Sequence, residues 1–105
     1  MTDSDFRPQQ FVMAFEQAIR EANREILGSL LGTITTDNFV TLMVAVAKAR
    51  GAYLYEASTI AGKGDVPDTE AVERLKELRT TYEELVTAAQ GLEHAIERGY
   101  LDVGP

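Results

Sequence analysis

With 105 residues, 45% of them apolar, and no cysteine, the chain has room for one small core and none for disulfides or thiolate metal sites. Its formal charge is −7, and residues 67–105 carry nine acids against four bases, compared with five and three over 1–35 and three of each over 36–66. Such a surface repels phosphate backbones at long range, which sets nucleic acid aside as an expected partner.

Residues 1–7 read as a flexible polar N-terminus, with Asp3 and Asp5 and no apolar run of the kind a secretory leader needs. A first helix is expected over 8–31. Pro8 suits a first helical turn because its φ is fixed and its missing N–H would have no partner there. Val12, Phe15, Ile19, Ala22 and Ile26 then recur at spacings of three and four, which puts them on one face. Glu16 and Arg20 are spaced for an i,i+4 pair, and Gly32 is the expected terminator.

A second helix is expected over 37–61, capped by Thr35 or Thr36, with Asp37 complementing the dipole. Phe39, Val46, Tyr53 and Ile60 stand seven apart, while Val40, Leu42, Met43, Val44 and Leu54 fall off that stripe. The apolar arc is wider than one neighbour can cover. Ala45, Ala49 and Ala52 form a row of small residues through which another helix could approach. The longest apolar run, Phe39 to Ala47, still falls far short of the about 20 residues a bilayer span needs. The expectation is a soluble cytoplasmic protein without membrane contact.

The run "GKGDVP" breaks the chain, and Asp68 with Glu70 opens a third helix expected over 68–98. Here Leu75, Tyr82, Ala89 and Ile96 interleave with Ala71, Leu78, Leu85 and Leu92, a two-position seam sustained over about four heptads. Gly99 is the natural stop, leaving 100–105 as a tail. The fold expected is all-α: three long helices in an up-down-up bundle, a single domain over 8–99, dimerised into a larger bundle. Helices of such length give a chain this small a poor ratio of core to surface, which pairing would correct. Phe39, Leu42, Met43, Val46, Ala49 and Tyr53 are the expected dimer or partner interface.

Chemistry-bearing patterns are sparse. His94 is the sole histidine, and residue 91 is Gly, so the Glu-x-x-His pairing of di-iron bundles does not occur. No metal or cofactor is expected. Lys63 sits in "AGKG", but the phosphate-loop pattern needs Gly at 57 and Ser or Thr at 64, where Ala and Gly stand. Ser29 and Ser58 lack a nucleophile-elbow context, and no catalytic residue is assigned.

Two surface features remain. Glu70, Glu77 and Glu84 form an acidic stripe that could dock a basic partner. Arg50, Tyr55 and Glu56, beside Tyr53, could line a ligand pocket at a dimer interface. The expected function is therefore a non-catalytic helical interaction or accessory protein, acting as a homodimer with an acidic outer face. A small-ligand or enzymatic site near Arg50, Tyr53, Tyr55 and Glu56 is one alternative, and a chaperone for a protein partner is another.

Overall fold

A computed structural model describes residues 7–105. The expected flexible N-terminus over 1–7 lies outside the described residues, apart from Arg7. Three helices, α1 (Pro8–Leu31), α2 (Thr36–Lys63) and α3 (Thr69–Glu97), dominate an all-α chain. Two two-residue strands, β1 (Ile34–Thr35) and β2 (Val103–Gly104), accompany them. The described residues divide into two compact units, one of those up to 36 with 94–105 and the other of residues 37–93.

The unit of residues 37–93 is an antiparallel helical hairpin. Its cross-contacts run in opposite directions along the two helices: Tyr53 stacks on Tyr82 with centroids 6.4 Å apart, and nearer the turn Arg74 meets Glu56 at 2.8 Å. Phe39, Leu42, Val46, Ala49, Tyr53, Glu56 and Ile60 are buried or half-buried along one stripe of α2. Ala71, Leu75, Leu78, Tyr82, Leu85, Ala89 and Leu92 answer them on α3. Both sets alternate at three and four residues, the interlocking pattern of shallow-angle helix packing. Leu42 thus belongs to the seam, although it stands off the series of Phe39, because it falls on the interleaved series with Ala49 and Glu56. A carboxylate at the last of these positions is tolerated because Arg74 neutralises it.

Local chemistry sets where the hairpin turns. Gly64 takes a positive φ of 74° and its N–H reaches back to Ala61 O, closing α2 two residues beyond the expected end. Asp68 then caps α3, its Oδ1 accepting the Ala71 N–H at 2.8 Å. Losing such a cap costs about 1 kcal/mol. Asp68→Ala is expected to lower the thermal midpoint by about 4–8 °C, whereas Asp68→Ser should recover most of the loss; parallel melts followed by circular dichroism check this.

The other unit is held at the C-terminal end of α1. Gly99, at φ 76°, ends α3 in a paired motif: its N–H bonds Ile96 O at 3.0 Å and the Tyr100 N–H bonds Ala95 O at 2.8 Å. The chain reverses there and buries Leu101, leaving it 5% exposed. β2 then pairs in parallel with β1, Ile34 opposite Val103 and Thr35 opposite Gly104. A Cβ at Gly104 would stand 3.2 Å from Cγ2 of Thr33, the residue before β1, so the absence of a side chain at Gly104 leaves room for that methyl. The tail at 100–105 is therefore docked, not free.

Arg24 fastens this arrangement. Its guanidinium donates to Gly99 O at 2.7 Å and to Asp102 Oδ1 at 3.0 Å, across 75 and 78 positions of sequence. Both side chains are about half exposed or more, so solvent screening discounts the pair to about 1 kcal/mol. Arg24→Ala is expected to loosen the tail before it unfolds anything else. The measurement is amide exchange at Ile34, whose N–H donates to Asp102 O at 2.9 Å and should lose protection first.

The core is small. Val46 and Ala89 are buried in the hairpin, Ala95 and Leu101 in the other unit, and no other described residue reaches that class.

Candidate functional site

Helical spacing turns α2 into a two-faced element. At 100° per residue, Val40, Val44, Ala47, Gly51, Leu54 and Ser58 fall on one line, nearly opposite the seam that meets α3. That line is uncovered: Val40 is 52% exposed, Val44 45% and Leu54 54%, with Met43 at 41% on its border. No charged residue interrupts it from Val40 to Ala61. Small residues occupy its centre, and a Cβ at Gly51 would meet nothing within 4 Å. The surplus apolar arc of α2 is thus a second, separate face.

A comparable face runs along α1, which has no buried residue. Val12, Phe15, Ile19, Ala22, Ile26 and Leu30 share it, and all six are exposed, Leu30 to 74%. Phe11 and Phe15 stack on each other at 6.3 Å, which covers only part of either ring. On the adjoining side, Asn23 and Leu27 are half-buried. Arg20, Arg98, Tyr100, Glu16, Phe15 and Ile19 line an open groove of about 240 Å³ in the same unit. The expected i,i+4 pair of Glu16 and Arg20 is not formed among the described residues; the one ion pair at that spacing is Arg79 with Glu83, at 3.7 Å.

The residues expected to form an interface divide between these environments. Phe39, Leu42, Val46, Ala49 and Tyr53 lie on the buried or half-buried stripe of the hairpin, while Met43 is exposed. Of the alanine row, Ala45 and Ala49 are half-buried and Ala52 is exposed. The open small-residue row is instead Ala47 and Gly51, a turn away.

The three residues expected to line a ligand pocket point to different sides of α2. Arg50 leans toward α3, its Nε–H donating to Tyr82 Oη at 3.2 Å with the guanidinium carbon 5.4 Å from that ring's centroid. Glu56 is taken up by Arg74, whose pKa is raised first by this hydrogen bond and then by the carboxylate's charge. Tyr55 is 74% exposed on the far side. Glu56 and Arg74 do edge a groove of about 210 Å³ with Ile60, Lys63 and Asp68, where the hairpin turns.

Glu70, Glu77 and Glu84 are all exposed along α3, and none is in an ion pair among the described residues. Arg74 shares the shallow groove of Glu70, Glu73 and Glu77, so a base interrupts the upper part of the stripe. His94 is exposed in the last turn of α3. Among the described residues no three carboxylate or imidazole side chains are placed to hold a metal ion, and no helix is long and apolar enough to cross a membrane. No protein-family model matches the chain, and no curated protein or solved structure is significantly similar to it.

Proposed function

We propose that this chain is a non-catalytic helical interaction protein that works as a homodimer, with the acidic face of α3 turned outward. The observation that carries the reading is the pair of uncovered apolar faces on α1 and on the back of α2. Nine large side chains on or bordering them, from Val12 to Leu54, are at least 41% exposed, against four buried apolar residues among those described. Full burial of such a side chain contributes about 1.5–3 kcal/mol. For half-exposed ones the unrealised stabilisation is about 1 kcal/mol each, on the order of 10 kcal/mol together, comparable to the whole stability of a typical domain.

An isolated chain would leave that stabilisation unused and would present a large apolar surface to any other molecule. A second copy supplies both faces at once, because a two-fold operation repeats every contact. In the assembled pair the exposed acidic stripe of Glu70, Glu77 and Glu84 on α3 supplies a like charge that resists further aggregation. Sedimentation equilibrium at micromolar concentration tests the reading: a dimer mass is expected, and a monomer mass would overturn it.

A further inference from the structure

One side of the hairpin is basic and grooved, although the chain as a whole carries a charge of −7. Between α2 and α3 a mostly apolar, open groove of about 220 Å³ is lined by Tyr53, Val72, Leu75, Lys76 and Arg79. Both charged residues in that lining are bases. All five belong to residues 37–93, so the groove is complete within the hairpin of one chain. Tyr53 is fixed there by its stack on Tyr82, and Val72 is exposed.

The acids of the hairpin do not cancel these bases. Glu70, Glu77 and Glu84 stand about 140–180° round α3 from Arg79. Of the two acids on α2, Glu56 is taken up by Arg74, and Asp37 sits in the first turn, about four turns before Tyr53. Lys76 is in no ion pair among the described residues. Arg79 meets Glu83 at 3.7 Å, but both side chains are more than half exposed and water screens the pair. Arg50 adds a third base one turn from Tyr53, and its partner Tyr82 is neutral, which leaves the charge in place. At physiological salt a charge is felt over about 8 Å, less than the diameter of about 10–12 Å of one helix. The acidic flank of α3 therefore does not reach the basic one.

Size selects the kind of occupant. Sites that enclose a small ligand run to about 300–1,000 Å³. This groove is smaller and open, which suits a single large apolar side chain carried on a longer segment. The bases at its edge favour carboxylates beside that anchor. A phosphate backbone would meet three bases on an acidic chain and leave the apolar lining unused.

We infer that this groove docks an acidic segment of a partner protein. One large apolar side chain of the segment lies over Tyr53, Val72 and Leu75, and carboxylates on either side of it meet Lys76 and Arg79. The site needs one chain only, so it goes beyond the dimeric reading and is tested apart from it.

Random dodecapeptides displayed on phage are selected against the full chain, and the recovered peptides are labelled and titrated into it. The expected consensus is one aromatic or large aliphatic residue with acids close on both sides. Lys76→Gln with Arg79→Gln should weaken their binding about tenfold or more, with the helical signal unchanged. Val72→Glu should weaken it through the apolar half of the site, whereas Glu77→Gln with Glu84→Gln should leave it as it was. Selection of basic or uncharged peptides, recovery of no consensus, or binding that survives both groove variants would overturn the inference. So would a labelled oligothymidylate that binds the chain and is released by the Lys76→Gln and Arg79→Gln pair, which would make this side a phosphate-binding surface.

Discussion

Val46→Asp is expected to unfold the hairpin of α2 and α3. Val46 is 2% exposed, the least accessible of the buried residues, and it sits in the seam with Leu42 and Ala49 one turn to either side. A carboxylate there has no cationic partner on the buried stripe; Arg50, one turn on, already leans over Tyr82. An unpaired buried charge costs several kcal/mol, and the group either takes up a proton or expels itself by opening the seam. With four buried residues among those described, the chain has little stability from which to absorb it. A loss of about 4 kcal/mol corresponds to a midpoint lowered by about 16–30 °C in a domain this small. The internal control lies two residues earlier. Val44→Asp makes the same chemical change on the opposite side of α2, where the side chain is 45% exposed, and should keep the helical signal of the hairpin. Thermal melts of the two variants at equal, dilute concentration make the comparison. If Val44→Asp proved the more damaging to helicity, the assignment of the two faces of α2 would be reversed.

That pair of substitutions also shows what the sequence could and could not display. The seam of α3 is legible because Leu75, Leu78, Tyr82 and Leu85 are set among Lys76, Glu77, Arg79, Glu83 and Glu84, and Ala89 and Leu92 continue the same spacing. The period then stands out against a polar background. On α2 the same period is present but hidden, since Val40, Met43, Val44 and Leu54 fill the positions that charges occupy on α3. Apolarity alone does not separate two faces of one helix. The series of Phe39, Val46, Tyr53 and Ile60 is visible; its interleaved partner passes through Leu42, Ala49 and Glu56, and the glutamate conceals it. Only the contact with Arg74, across 18 positions, explains why a carboxylate stands there.

The docking of the C-terminal tail was less legible still. A parallel pair of two-residue strands leaves no periodic trace, and the bond of Arg24 to Asp102 joins positions 78 apart. Local rules do foresee the stops at Gly32 and Gly99, because a positive φ is a property of single residues. They do not foresee what the chain meets after the stop. The pocket expected around Arg50, Tyr55 and Glu56 illustrates the same limit: neighbours in sequence on a helix diverge by 100° per residue, and each of these three is directed to a different side.

Ile19→Glu combined with Ile26→Glu is expected to yield a monomer whose hairpin remains folded. Both isoleucines lie mid-face on α1, 43% and 57% exposed in the chain, so both are available to a partner. Each substitution forgoes about 1 kcal/mol of further burial and adds a carboxylate to a contact face that must then be desolvated. Together they should weaken association by about 4 kcal/mol, roughly a thousandfold in dissociation constant. Glu77→Ala with Glu84→Ala, on the acidic stripe of α3, should leave the mass unchanged. Helicity supplies an independent reading. α1 is bonded to the rest of its own unit through Arg24, with Asn23 and Leu27 half-buried beside it, and a single helix without packing is marginal in water. In the monomeric variant the first half of α1 should therefore fray while its last turns, bonded to Gly99 and Asp102, stay protected from exchange. A variant that is monomeric yet keeps uniform protection along α1 would show that the helix never depended on a partner, and the uncovered face would then need another explanation. A variant that stays dimeric would move the interface off α1 altogether.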